Sequence, residues 1–149
     1  MQAKQIINQL RNDYPRFVFL AGENFLFHSS EQQIFYIPDG EAIFLIHELA
    51  HALLQHHDYK FDIELLKIES EAWDLTKELA NKYKLDITEN EINDAIDSYR
   101  EWLDTRSRCP KCNSIGFQKK TGVYCCLECQ SEWRPNSAKQ NFLRRKLIK

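Results

Sequence analysis

Two histidines and a glutamate within five residues carry the clearest chemistry in this sequence. His47 and His51 are four residues apart, and Glu48 follows the first of them, in an apolar run from Ala42 to Leu54. On a helix, residues four apart project from one face, so both imidazoles can bind one zinc ion. A carboxylate one step round the helix can take a proton from water that zinc has acidified. The run therefore predicts a buried helix with a dry zinc site.

A catalytic zinc ion usually has three protein ligands and one open position for water, so a third ligand is needed. His57 is one candidate, because the three histidines follow the metzincin spacing H-E-x-x-H-x-x-G-x-x-H. That pattern requires a glycine at position 54, to turn the chain back towards the metal, and Leu54 stands there. The methionine turn of the same class is excluded, because the one methionine is Met1. His57 is therefore the weakest candidate, although His56 or His57 could line the cleft.

Two glutamates on the next predicted helix, which runs from about Asp62 to Tyr83, are better candidates. Glu71 lies three residues after Ile68 and four before Leu75, so it projects with the predicted apolar stripe. A carboxylate on a buried face needs a partner, and a metal ion would supply one. Glu69 projects to one side of the stripe. The sequence therefore predicts Glu71 as the third ligand, with Glu69 as the alternative.

All five cysteines lie between residues 109 and 129, which indicates a metal site rather than a set of disulfides. Cys109 and Cys112 form one C-x-x-C pair, and Cys126 and Cys129 form a second, with 13 residues between the pairs. Two such pairs present four thiolates to one tetrahedral ion, which predicts a zinc ribbon with a structural Zn²⁺. Cys125 is either a small buried residue or a register alternative to Cys126.

Charge is unevenly distributed along the chain. Residues 105–149 hold 11 Lys and Arg against 2 Asp and Glu, whereas residues 1–104 hold 9 against 20. The basic end is a solvated tail, a helix docked on the acidic part, a contact for a membrane surface, or a contact for nucleic acid. Phosphates favour Lys and Arg clusters, which supports the last of these. The apolar spacing of this basic segment predicts a short amphipathic helix near the C-terminus. The candidate nucleic-acid-binding residues are Lys139, Arg144, Arg145 and Lys146.

The elements that must position these residues follow from hydrophobic spacing. An amphipathic helix is predicted over residues 3–12, and the spacing Thr88-x-x-Glu91 predicts the capped start of a last helix. Three short strands with polar turns predict an antiparallel meander, over residues 17–20, 25–28 and 33–37. The fold class is therefore α+β. The predicted domains are a metal-binding domain with a helical extension, a zinc ribbon and a basic tail, over residues 1–105, 106–135 and 136–149.

A helix, three short strands, the HELAH segment and then Glu69-Ser70-Glu71-Ala72-x-x-Leu75-x-x-x-Leu79 resemble the ImmA/IrrE-type metallopeptidases, over roughly residues 1–85. The resemblance implies a compact gluzincin-like fold, the minimal zincin domain. It also implies that His47 and His51 are ligands, that Glu48 is the catalytic acid and base, and that the glutamate before Ala72 is the third ligand. The layout of such a domain joined to a zinc ribbon is similar to that of the SprT-like proteases.

These observations predict a zinc-dependent metallopeptidase, a regulatory or specific intracellular protease with one catalytic and one structural Zn²⁺. A protein or peptide substrate would pair as an added strand with a sheet edge, such as Gln33–Ile37. Tyr36, Tyr59 and a nearby histidine are candidates to stabilise the oxyanion. The alternative is a ribbon regulator that binds nucleic acid or protein and carries a weakly active or inactive zincin domain. A closed structural zinc site is a third option.

We expect a cytoplasmic protein that does not enter the membrane. The longest apolar run contains His47, Glu48 and His51, and the N-terminus lacks the apolar stretch of a signal peptide.

Overall fold

The computed structural model describes residues 1–138 and 142–149. Within them, four helices and two sheets confirm the α+β fold class. No described helix has the length and apolar character to cross a membrane. The helices are α1 (Ala3–Asp13), α2 (Ala42–Leu53), α3 (Asp62–Tyr83) and α4 (Glu89–Ser107). The strands are β1 (Val18–Ala21), β2 (Leu26–His28), β3 (Gln33–Tyr36), β4 (Gly116–Lys120), β5 (Val123–Cys126), β6 (Glu132–Pro135) and β7 (Arg145–Leu147).

The chain divides into two compact units. The first comprises Met1–Asp58 and Ile68–Ile92, and the second comprises Tyr59–Lys67 and Asn93–Lys149. Residues 93–105 group with the cysteine-containing segment in this division, and the predicted domain boundaries stay a prediction. The helices α3 and α4 each contribute residues to both units.

The first unit contains a three-stranded sheet in the order β1-β3-β2. The strands β2 and β3 are antiparallel, but β1 and β3 are parallel, so the predicted antiparallel meander is wrong. Burial explains the order: β3 carries the buried Ile34 and Tyr36 and takes the centre, whereas the flanking strands expose Val18 and Leu26. The predicted substrate edge at Gln33–Ile37 is therefore also wrong, because β3 has a neighbour on both sides.

The core of the first unit lies between this sheet and the helices. The helix α1 buries Ile6, Ile7 and Leu10, the spacing of one helical face. The helix α2 is buried along most of its length, with Leu45 and Leu49 fully inaccessible to solvent, which explains its nearly continuous apolar sequence. A helix that is apolar on most sides must be enclosed by the core, so any polar group on it has to find a partner there.

The predicted start of the last helix is confirmed. The Thr88 N–H donates to Glu91 Oε2 (2.7 Å), and the Glu91 N–H donates to Thr88 Oγ1 (3.2 Å). This reciprocal pair satisfies two backbone donors that the first turn of a helix leaves without intrahelical acceptors.

The second unit contains a four-stranded antiparallel sheet in the order β4-β5-β6-β7. The predicted amphipathic helix near the C-terminus is wrong, because Arg145–Leu147 forms β7. The reason is backbone pairing: β6 has an open edge, and β7 pairs with it so that Trp133 lies opposite Leu147. A three-residue ladder satisfies backbone groups that an isolated short helix would leave to water.

A small core beneath this sheet contains one buried charge network. The Trp133 ring is fully buried, stacks on Tyr124, and donates Nε1–H to the Arg106 carbonyl (2.8 Å). The Arg106 Nε and the Tyr124 hydroxyl both donate to Asp62 Oδ2, at 2.7 and 2.6 Å. Gly116 allows the close packing, since a Cβ there would lie 2.5 Å from the Trp133 ring. The buried charges are therefore paired, as burial requires.

Candidate metal centres

The first unit brings two histidines and one glutamate together, all buried: His47, His51 and Glu69. The two Nε2 atoms are 3.1 Å apart. Glu69 Oε2 lies 3.1 Å from His47 Nε2, and Glu69 Oε1 lies 3.4 Å from His51 Nε2. Two imidazoles and one carboxylate from two different helices thus face one point.

These separations fit a tetrahedral metal ion. Bonds of about 2.0–2.1 Å from nitrogen and carboxylate oxygen to zinc give ligand–ligand distances of about 3.3 Å in a tetrahedron. The distance between the two nitrogens, 3.1 Å, and the distances from each nitrogen to its nearer Glu69 oxygen, 3.1 and 3.4 Å, lie near that value. The donor set is neutral imidazole and carboxylate, which zinc and several other divalent ions accept.

The structure places Glu69, and not Glu71, beside the two histidines. The face of α3 that is buried runs through Glu69, Ala72, Trp73 and Thr76, at spacings of three and four residues. The sequence predicted a different face because only apolar side chains were used to define it. Two of the four residues on the buried face, Glu69 and Thr76, are polar. Glu71 lies two residues further along, on another side of the helix, and its side chain is 46% exposed.

Glu71 and the remaining histidines lie around the cluster. Glu71 Oε2 is 3.2 Å from His56 Nε2, and His56 Nδ1 is 2.9 Å from His51 Nδ1. Burial lowers the pKa of His56; the hydrogen bond to Glu71 opposes this, and the charge of His51 adds to it. His57 is exposed, and its Nδ1 lies 3.1 Å from the Asp58 carbonyl, so it is not part of the cluster.

His47 is held by two residues that the sequence reading did not single out as functional. Its ring stacks on Trp73, with the centroids 4.1 Å apart. Its Nδ1 lies 3.2 Å from Thr76 Oγ1, and that hydroxyl donates its own hydrogen to the Ala72 carbonyl (2.6 Å). Because the threonine proton is already used, Oγ1 accepts from His47 Nδ1–H. A neutral His47 that donates from Nδ1 can bind a metal ion through the lone pair of Nε2.

Glu48 lies beside the cluster without joining it. Its Oε2 accepts a hydrogen bond from the Phe27 N–H (2.7 Å) on β2. Burial raises the pKa of Glu48, although the charges of His51 and His47 and then this hydrogen bond oppose the shift. Glu69 differs: burial pushes its pKa upward, but hydrogen bonds to His47 and then His51 outweigh it and lower the pKa to about 2. The pKa values of the two carboxyl groups are therefore shifted in opposite directions.

The second unit brings together the four cysteines of the two C-x-x-C pairs, as predicted: Cys109, Cys112, Cys126 and Cys129. The Sγ atoms of Cys109 and Cys129 are 3.6 Å apart, and those of Cys112 and Cys126 are 3.5 Å apart. Zinc–sulfur bonds of about 2.3 Å give sulfur–sulfur distances of about 3.8 Å in a tetrahedron. The four thiols therefore form a second candidate metal site.

The two cysteine turns have the same local structure. In each, the N–H of the residue two after the first cysteine lies 3.4 Å from that cysteine's Sγ. In each, the residue after the second cysteine adopts a left-handed conformation, Asn113 in one turn and Gln130 in the other, both with φ of 63°. In each, the first cysteine donates its N–H to the carbonyl of a serine five residues on, Ser114 or Ser131, at 2.8 Å.

The serines also favour thiolates. The backbone and then the hydroxyl of Ser114 lower the pKa of Cys112. The hydroxyl and then the backbone of Ser131 lower the pKa of Cys129 to about 6. Cys125 is half-buried and lies outside the cluster, with its Sγ 3.7 Å from the Cys126 carbonyl. Cys126, and not Cys125, is therefore the ligand candidate in this turn.

The basic residues near the C-terminus are partly used within the fold. Arg145 Nη1 donates to the Arg108 carbonyl (2.6 Å), and Arg144 Nη1 donates to the Leu143 carbonyl (3.0 Å). Lys146 is exposed on β7. Lys139 lies outside the described residues. The two tyrosines suggested for the oxyanion differ in setting: Tyr36 is buried in the core of the first unit, and Tyr59 belongs to the second unit.

No protein-family model, curated protein or solved structure matches the chain. The resemblance to ImmA/IrrE-type metallopeptidases therefore stays a prediction.

Proposed function

We propose that the chain is a metallopeptidase whose catalytic Zn²⁺ is held by His47, His51 and Glu69. The observation that carries this proposal is the position of Glu48. A fourth polar group lies against a three-ligand cluster, on the same helix as two of the ligands, and burial raises its pKa. Three protein ligands with a carboxylate beside them are typical of zinc hydrolases, whereas structural zinc sites have four protein ligands.

In the proposed mechanism Glu48 moves protons. A Zn²⁺ ion, when bound, supplies Lewis acidity that lowers the pKa of water to about 7 and polarises a carbonyl group. Glu48 accepts the proton of the attacking water and later delivers it to the leaving amine of the substrate. A raised pKa makes the Glu48 carboxylate a stronger base than a fully solvated one, which favours taking the proton of the water that it later passes to the amine.

We also propose that β2 guides the substrate. It is an edge strand of the three-stranded sheet, and its Phe27 N–H faces Glu48 Oε2. An extended peptide that pairs with this edge would pass next to the carboxylate. This position replaces the edge suggested from the sequence, since β3 lies in the centre of the sheet.

The test is the substitution Glu48→Gln in the full chain, with zinc content measured by elemental analysis. Wild type and variant are incubated with a peptide library from a digested cell lysate, and new N-termini are counted by mass spectrometry. We expect cleavage to fall by about 10²–10⁴, the usual contribution of a general acid and base, while zinc content is unchanged.

The matched control is Glu78→Gln, the same substitution at an exposed position of α3, which should cleave at the wild-type rate. Full cleavage by zinc-loaded Glu48→Gln would contradict the proposal. A zinc-loaded wild type without any cleavage would favour the binding function described next.

A second candidate function is binding of a polyanion such as nucleic acid by the second unit. The observation that favours it is the pairing of Arg134 and Lys146, which lie directly opposite each other on β6 and β7. Like charges in that position are destabilising unless an anion lies near both. The substitution Lys146→Glu should weaken binding of a fluorescent oligonucleotide and reduce the salt dependence of binding. Binding that is unaffected by salt and by this substitution would remove the candidate.

A further inference from the structure

The ligand His51 is linked to Glu71 through one intervening imidazole. His51 Nδ1 lies 2.9 Å from His56 Nδ1, and His56 Nε2 lies 3.2 Å from Glu71 Oε2. The His56 side chain is only 11% exposed, whereas that of Glu71 is 46% exposed. The chain of contacts therefore runs from a buried ligand to a carboxylate at the surface.

We propose that His56 and Glu71 are positioning residues that fix the tautomer of His51, so that its Nε2 is free to bind the metal. The inference rests on the metal site of the proposed function. It gives Glu71, the glutamate first expected to be a ligand, a role one step removed from the metal.

The direction of the hydrogen bonds follows from the charge of Glu71. A carboxylate only accepts, so His56 must donate from Nε2–H. A neutral imidazole has one donor and one acceptor nitrogen, so His56 Nδ1 is then an acceptor. The nearby His51 Nδ1 must therefore carry a hydrogen and donate it. In neutral His51 the lone pair of the remaining nitrogen, Nε2, is then available to a metal ion, and this is the atom that faces His47 and Glu69.

The opposite direction is unfavourable at both ends when a metal ion is bound. It would place the lone pair of His56 Nε2 against the Glu71 carboxylate, and it would put a hydrogen on His51 Nε2, where a metal ion would have to bind. Without Glu71, His56 Nε2 would lose the carboxylate that fixes the direction. The hydrogen bond that a metal-bound histidine makes through its other nitrogen commonly sets its tautomer and its basicity.

The end of α2 explains why His56 reaches His51. The His56 N–H donates to the His51 carbonyl (3.0 Å), and the Gln55 N–H donates to the Ala52 carbonyl (3.1 Å). This is the paired pattern of a Schellman motif, and Gln55 has the left-handed φ of 56° that the motif requires. The motif places His56, which follows the left-handed Gln55, against His51, five positions earlier on the helix. An apolar contact often forms there, but in this chain the contact is between two imidazoles.

His47 offers an internal comparison. Its Nδ1 hydrogen bond goes to Thr76 Oγ1, which donates onward to the Ala72 carbonyl. A backbone carbonyl is always an acceptor, so this direction is fixed by the fold itself. The equivalent chain from His51 ends on a side-chain carboxylate. Its direction can therefore be changed by substitution, which makes the proposal testable.

The test measures metal affinity without using hydrolysis. The full chain, carrying one equivalent of zinc for the cysteine site, is titrated with Co²⁺ at fixed pH, and the visible absorption of the bound ion is followed. The variants are Glu71→Ala, His56→Ala, His56→Asn and the double variant His56→Asn with Glu71→Ala. The matched control is Glu78→Ala, at another exposed position of α3.

We expect Glu71→Ala and His56→Ala to weaken Co²⁺ binding by about 10-fold or more, the usual effect of removing a partner of a metal ligand. His56→Asn should bind nearly as wild type, because an asparagine carbonyl accepts from His51 Nδ1–H at a similar position. In that background Glu71→Ala should have no further effect, since an amide oxygen accepts whether or not a carboxylate is nearby. Glu78→Ala should bind as wild type.

A second readout is the tautomer itself. Long-range ¹H–¹⁵N NMR spectra of the metal-free chain should show the hydrogen of His56 on Nε2 in the wild type and on both nitrogens in Glu71→Ala. A change of stability alone would not move these signals.

Equal Co²⁺ affinity in wild type, Glu71→Ala and His56→Ala would overturn the proposal. So would a Glu71→Ala effect that persists in full in the His56→Asn background. A wild type that binds no second metal ion would overturn the proposed function as well, so the two failures can be told apart.

Discussion

The His47–His51–Glu69 cluster lies between two helices, whereas the cysteine cluster is built on two turns of a sheet. The cysteine turns supply four ligands of one type, and each turn satisfies its own sulfurs and backbone groups locally. The helical cluster supplies three ligands of two types, and the Nδ1 atoms of its histidines contact Thr76 and His56. In the proposed function, the cysteine cluster stabilises a small unit and the helical cluster performs chemistry. The predictions below test this contrast.

Loss of a cysteine ligand should have the largest effect. We expect Cys126→Ser to release the metal from the second unit and unfold it, because binding by structural zinc sites contributes on the order of 10 kcal/mol to folding. The near-ultraviolet circular dichroism of Trp133 and Tyr124, which stack in the small core, should be lost. The neighbouring substitution Cys125→Ser is the matched control and should leave metal and signal unchanged. A folded, metal-free second unit would contradict a structural role.

Loss of the third ligand in the other cluster should remove a metal without unfolding the chain. We expect Glu69→Ala to bind one equivalent of zinc instead of two, with the helical circular dichroism retained, because helix packing and not metal binding holds α2 and α3. Glu71→Ala should still bind two equivalents when zinc is in excess. If Glu71→Ala lost one equivalent and Glu69→Ala did not, the ligand assignment would be reversed.

The C-x-x-C pairs were predictable because each turn is local, with all its ligands and partners within six residues. The third ligand of the other cluster was not, because it depends on which face of α3 meets α2. The aliphatic residues indicated one face, but the buried polar residues Glu69 and Thr76 define another. The lone buried tryptophan on α3, Trp73, was a signal for the correct face, since it lies four residues after Glu69 and beside His47.

The helices and the α+β class followed from periodicity, because the amphipathic spacing of α1 and the capping box of α4 are local signals. The order of the three N-terminal strands could not be predicted from periodicity. Three short apolar strands with similar turns are compatible with several orders, and the choice depends on which strand is buried most deeply by the helices. The strand β7 was missed for a related reason, since its pairing partner Trp133 is 14 residues away in the sequence.

Removing the hydrogen-bond acceptor of His47 should have a smaller effect than removing a ligand. We expect Thr76→Val to weaken Co²⁺ binding at the helical cluster by about 10-fold, because His47 Nδ1–H loses its acceptor. Thr76→Ser keeps the hydroxyl and should bind nearly as wild type. Equal affinity in the valine variant would show that Trp73 stacking alone orients the ring. The cysteine site should be unaffected by either substitution.

The smallest effect is expected from a surface interaction of the first unit that touches neither cluster. The Tyr83 hydroxyl donates to Asp13 Oδ2 (2.6 Å) and is the main reason that the pKa of Asp13 is lowered. A carboxyl with a lowered pKa in the folded state stabilises the fold above its unfolded pKa of about 3.9 and loses this contribution as the pH falls through the folded value.

The substitution Asp13→Asn should therefore lower the melting temperature slightly at pH 7. The difference from wild type should disappear at pH values below the folded pKa. Metal affinity at both clusters should stay unchanged at pH 7, which separates the stability of the first unit from its metal chemistry. A melting temperature difference that is constant down to pH 2 would contradict this explanation.

The most direct test of the central claim is anomalous X-ray diffraction at the zinc edge from crystals of the zinc-loaded chain. We predict two peaks. One should lie among the four cysteine sulfurs, and the other should lie about 2.0–2.1 Å from His47 Nε2, His51 Nε2 and a Glu69 oxygen, with solvent as its remaining ligand. A single peak at the cysteines, or a second ion bound by Glu71 instead of Glu69, would contradict the account.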